Sequence, residues 1–133
     1  MPINSHEFKV ASNKYYSNML KIEESWKTLQ KDDFSSASDI SCFISECTQN
    51  INDYKQMVAV GGDAARIFSV PAYKRLASLY EKKHDYYNAV AICSDAVQNE
   101  IDLTKKLSRN IARSGRIPTS SESSLIAKTF WFN

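Results

Sequence analysis

Residues 70–101 read VPAYKRLASLYEKKHDYYNAVAICSDAVQNEI, and the alternation of large and small side chains along them decides the fold. Val70-Pro71 breaks the pattern before it, and Pro71 suits the first position of a helix, where its missing N–H costs nothing. Tyr73, Leu76, Ala77 and Tyr80 then recur at helical spacing, which predicts a helix to about Lys83. A second helix begins near Tyr87 and carries Ala89, Cys93 and Ala96 along one side. Small residues at Ala77, Ala89 and Ala96 let two helix axes approach closely. The large residues Tyr73, Leu76 and Tyr80 fill the grooves on either side of that contact.

This stretch resembles a tetratricopeptide repeat (TPR). Tyr73, Leu76, Ala77 and Tyr80 match the large, large, small and aromatic positions of the repeat's first helix. Asp85-Tyr86 match its turn, and Ala89 and Ala96 match the small positions of its second helix, with Cys93 where an aromatic is more usual. His84 stands where the family prefers glycine. Ile101 replaces the closing proline, so the second helix is expected to run on, uninterrupted, to about Arg113 before Ser114-Gly115 stops it. Such an extension fits a terminal, capping repeat. The resemblance implies a partner groove lined by the first helix, which carried over here means Lys74, Ser78, Glu81 and Lys82 on one exposed face. Lys74 matches the lysine with which one TPR subclass clamps a peptide carboxylate. Ser78 departs from that subclass's asparagine, so a full clamp is not expected.

Working outward, Tyr15, Met19, Ile22, Trp26 and Leu29 step by 4, 3, 4 and 3, one stripe of an amphipathic helix over about residues 7–30. After Lys31-Asp32-Asp33, a second stripe runs through Ala37, Ile40, Ile44, Cys47, Ile51, Tyr54 and Val58, with Ser35 or Ser36 as cap and Gly61-Gly62 as stop. A short connection between two long helices makes them an antiparallel hairpin. Asp33-Phe34 and Ala37 echo Asp85-Tyr86 and Ala89 at a spacing of 52 residues, against a family period of about 34. The first hairpin is therefore read as a packing neighbour of similar shape. Asp63 could cap a short helix through Phe68. The expected architecture is all-α, with about five helices in antiparallel hairpins stacked as a short TPR-like array within one domain of 133 residues. Its parts are a hairpin at 7–60, a TPR-like hairpin with an extended last helix at 63–115, and a tail at 116–133.

Three glycines and three prolines are too few for a many-stranded sandwich, which needs a turn signal every roughly 8–12 residues. A net charge of +2 points to neither nucleic acid nor membrane, and no apolar run approaches the roughly 20 residues of a membrane span. With no secretory leader in the sequence, a cytoplasmic setting is expected. Cys42, Cys47 and Cys93 lack a CxxC spacing and are read as reduced thiols. His6 and His84 lack partners for a metal site, so neither metal nor cofactor is expected. Glycine-rich phosphate loops, GxSxG and HExxH are absent, and Glu23 and Glu24 diverge by about 100° on a helix. Catalysis is not expected.

Three surfaces remain as binding candidates. The first is the Lys74, Ser78, Glu81 and Lys82 face, suited to a protein partner of an adaptor, inhibitor or assembly subunit. The second is a cationic stripe of Lys105, Lys106, Arg109, Arg113 and Arg116, which could meet nucleic-acid phosphates instead. Cations near a helix C-terminus also oppose its dipole, a purely structural use for Arg109 and Arg113. The third is the tail Phe130-Trp131-Phe132, which is expected to pack back onto the helices or join a second copy of the chain.

Overall fold

A computed structural model describes residues 5–115 and 117–132, with side chains over 6–115 and 117–127. Every regular element among the described residues is helical: α1 (Ser5–Lys31), α2 (Ala37–Gly61), α3 (Pro71–Lys82), α4 (Tyr86–Gln98), α5 (Thr104–Ser114) and α6 (Ser120–Phe132). The chain divides into two compact units, Met1–Ala72 and Tyr73–Asn133.

In the first unit α1 and α2 form the expected antiparallel hairpin. Tyr15, Ile22, Trp26 and Leu29 of α1 are buried, and α2 answers with Phe43, Cys47, Ile51, Tyr54 and Met57. The early part of the α2 stripe differs from expectation, because Phe43 is buried while Ala37 is exposed and Ile40 and Ile44 are half-buried. The reason is aromatic packing. Trp26 lies 5.2 Å from Phe34 and 5.6 Å from Phe43 between ring centroids, and that cluster turns α2 toward Phe43.

Polar contacts set the register. Asn18 Nδ2 donates to Asp53 at 2.7 Å, Ser25 Oγ to Glu46 at 2.7 Å, and buried Asn50 to the Tyr15 carbonyl at 3.0 Å. Sliding the helices by one turn would strand the buried Asp53 carboxylate, which also accepts from Gln49 and faces Lys14.

The connection at 32–36 is tight. Asp33 and Phe34 both have positive φ, 52° and 59°, and the Phe34 N–H donates to the Leu29 carbonyl. A left-handed non-glycine residue costs about 1–2 kcal/mol. Burying the Phe34 ring against Trp26 returns about 1.5–3 kcal/mol, enough to hold it there. Ser36 caps α2, its hydroxyl accepting from the Asp39 N–H. At the far end Gly61 is required by space, since a Cβ there would come within 2.7 Å of both Ala65 and Phe8. The short helix expected to Phe68 is only a 3-10 turn, Gly62–Ala65, and Phe68 is fully exposed beyond it.

In the second unit α3 and α4 form the hairpin read from residues 70–101. Ala77, Ala89 and Ala96 have no exposed surface, and Ala77 joins Val90, Cys93, Leu107 and Ile111 in one core cluster. Tyr73 Oη donates to Asp95 at 2.7 Å, tying α3 to α4. His84 adopts φ 57°, the left-handed position at which the repeat pattern expects glycine, and Asp85 caps α4 through the Asn88 N–H.

The expected single helix from Tyr87 to Arg113 is corrected here: it is two helices, broken at 99–103. Glu100 turns left-handed at φ 65°, and the Ile101 N–H reaches back to the Ala96 carbonyl at 2.9 Å, closing α4 as glycine would. Ile101 drops into the core, and Asp102 accepts from the Thr104 N–H as α5 begins. A spacing signal was present: the stripe steps from Ile101 to Leu107, six residues, which falls out of phase for a continuous helix. The tail is helical from Ser120. Thr119 and Glu122 form a reciprocal capping box at the start of α6, and Ile126 packs on the core cluster.

Candidate functional site

Two of the three candidate surfaces meet on one side chain. Glu81 of α3 is covered by α5, with 11% of its side chain exposed. Lys106 Nζ donates to its Oε1 at 2.7 Å, Arg109 donates to Oε2 through Nε at 3.1 Å and Nη2 at 2.6 Å, and Arg113 Nη1 stands 3.5 Å away. Lys106 also donates to Ser78 Oγ at 3.4 Å. Lys74, Ser78, Glu81 and Lys82 therefore do not share one exposed face as expected. Lys74 and Lys82 are exposed, whereas Ser78 and Glu81 lie under α5. The spacing of α3 alone could not show this, because the covering helix arrives 25–32 residues later.

Of the cationic stripe, Lys106, Arg109 and Arg113 converge on Glu81 and Lys105 is exposed elsewhere on α5. Arg116 lies outside the described residues, as do the side chains of Phe130, Trp131 and Phe132. Burial by itself would raise the Glu81 carboxyl, but the hydrogen bonds and charges of Lys106 and Arg109 outweigh it and hold the group below its ordinary value. One carboxylate facing three cations leaves two positive charges in excess.

Beside this node the α3–α4 turn and the last turn of α5 enclose an open depression of about 340 Å³, lined by His84, Asp85, Tyr86, Tyr87, Arg113 and Ser114. His84 Nδ1 and the Tyr86 hydroxyl share a hydrogen bond of 2.9 Å, while Tyr87 is 76% exposed. Sequence reading missed this grouping, since Arg113 and the 84–87 turn are joined only by the fold. A smaller hollow of about 150 Å³ in the first unit is lined by Ser25, Thr28, Leu29, Asp39, Cys42, Phe43 and Glu46.

Cys47 and Cys93 are fully buried, and burial pushes each thiol up to about 12, far from a reactive thiolate. Among the described residues no group of three or more His, Cys, Asp or Glu side chains is placed to hold a metal ion, and no helix is long and apolar enough to cross a membrane. No protein-family model, curated protein or solved structure matches the chain.

Proposed function

We propose that the chain is a non-catalytic protein-interaction module, an adaptor, inhibitor or assembly subunit of the cytoplasm, whose second unit is a TPR-like scaffold. The observation that carries this reading is the helix spacing of that unit. From Pro71 to Thr104, the first residues of α3 and α5, is 33 residues, close to the family period of about 34. The α3–α4 hairpin is closed on residues as small as Ala77, Ala89 and Ala96, and Leu107 and Ile111 of α5 share its core cluster. A scaffold of this kind works by presenting helix faces. Lys74 and Lys82 are the exposed cations of the α3 face. Phosphate binding by the 105–116 stripe is the weaker reading, because Lys106 and Arg109 are already committed to Glu81.

The test is affinity capture on the full chain from native lysate, split into nuclease-treated and untreated halves. A defined protein that survives nuclease and is lost with Lys74→Glu/Lys82→Glu is the expected result. Retention that vanishes with nuclease would transfer the function to nucleic acid.

A further inference from the structure

Resting on the interaction reading, we propose that the depression between the α3–α4 turn and the end of α5 is the seat of an acidic side chain from the partner protein, its carboxylate on Arg113 and its stem against Tyr87. At about 340 Å³ the depression is large enough for one long side chain and the backbone beside it.

Charge selects the ligand. Glu81 Oε2 already takes two short bonds from Arg109, so Arg113, at 3.5 Å, is beyond good hydrogen-bond length and keeps most of its five donors for another acceptor. Counting Asp85 of the lining together with Glu81 against Lys106, Arg109 and Arg113 still leaves one positive charge in excess. The carboxylate in the lining, Asp85, is turned to its own helix, where it accepts from the Asn88 N–H at 3.2 Å and the Asn88 side-chain amide at 2.7 Å, and not to Arg113. Tyr87 supplies the other half of the contact. An aromatic ring that is 76% exposed on the first turn of a helix offers apolar area at small entropic cost, and tyrosine beside arginine is the pairing that protein interfaces favour. Tyr86 is held back by its bond to His84, which leaves Tyr87 as the ring at the mouth. Nucleic acid would need a row of outward cations at phosphate spacing, whereas here one guanidinium faces a concave wall.

The experiment titrates fluorescein-labelled octaglutamate onto the full chain at about 50 mM salt, where charge contacts are weakly screened. Octaglutamine and oligo-dT are the comparators. Octaglutamate is expected to bind and octaglutamine not, with amide chemical shifts moving at Tyr86, Tyr87 and Ser114. Arg113→Gln should weaken binding about tenfold and Tyr87→Ala about threefold. Lys27→Gln, which removes an exposed cation of α1, is the charge-matched control and should change nothing. Tyr87→Ala alters an exposed ring, so it tests the pocket even if Arg113→Gln disturbs α5. Equal binding of octaglutamine, or octaglutamate binding unchanged in both pocket variants, overturns the proposal. So does oligo-dT binding as tightly with the same dependence on Arg113. Those results leave a nuclease-resistant partner standing, whereas absence of such a partner sinks the interaction reading whatever octaglutamate does.

Discussion

Replacing Glu81 by glutamine removes one charge and keeps the shape, so it measures what the three-cation node contributes to holding α5 on α3. The Lys106 contact is 2.7 Å long between side chains only 22% and 11% exposed, and a charge-assisted bond in that setting is worth about 1.5–3 kcal/mol. Arg109 gives two N–H bonds to the single oxygen Oε2, but 45% of its side chain is exposed, which reduces its share to about 0.5–1 kcal/mol. Arg113, at 3.5 Å and 47% exposed, adds little. Glutamine still accepts one hydrogen bond, so Glu81→Gln should cost about 2 kcal/mol in urea unfolding followed by helical circular dichroism at neutral pH. A double-mutant cycle with Lys106→Met should return a coupling of about 1 kcal/mol. Acid adds a second readout. The folded carboxyl sits below its ordinary value, so as pH falls the unfolded chain takes up the proton first. The Glu81 contribution is therefore complete above about pH 4.3, declines as pH drops through the lower folded value, and is missing from the variant at every pH. A loss under about 0.5 kcal/mol, or a coupling of zero, would show that Glu81 is an ordinary solvated carboxylate and refute the node.

Thiol chemistry gives a count. In the folded chain Ellman's reagent should react quickly with exposed Cys42 alone, leaving Cys47 and Cys93 until denaturant is added; two or three fast thiols would contradict the buried cores. The 32–36 connection gives a contrast of neighbours. Phe34→Gly should destabilise by about 1 kcal/mol, since lost burial exceeds relieved strain, whereas Asp33→Gly, exposed and left-handed too, should stay within about 0.5 kcal/mol in the same urea assay. Equal effects would mean the backbone and not the ring governs that turn.

The α1–α2 hairpin was legible because its apolar residues keep a steady three-four rhythm and its ends carry ordinary signals, Ser36 and Gly61-Gly62. Within α2 the choice between Phe43 and its neighbours Ile40 and Ile44 was not legible. All three are apolar, and the rings of Trp26 and Phe34, elsewhere in sequence, decide between them. The break after Gln98 was hidden because Glu100 takes a backbone conformation that glycine usually announces. The rhythm lost between Ile101 and Leu107 was the one local hint. Candidate residues on α3 and α5 were found, but as two separate surfaces. Their meeting at Glu81 depends on where the broken chain sends α5, and no spacing rule within either helix encodes that.

The position of Leu107 and Ile111 in the same cluster as Ala77, Val90 and Cys93 has a consequence for how the protein is made. Chains fold as they leave the ribosome, N-terminal parts first, at about 5–20 residues per second. The first hairpin has both of its helices once residue 61 has emerged and can close at once. The second unit cannot. When α4 is complete α3 can pair with it, but the part of the cluster that Leu107 and Ile111 cover still faces water until α5 has followed, a delay of about one to three seconds at that rate of synthesis. During this interval the nascent chain is a substrate for chaperones and for misassociation on the polysome. Rare codons across residues 99–114 would lengthen the exposure, so insoluble product should respond more to slowed translation there than to the same change placed in α1.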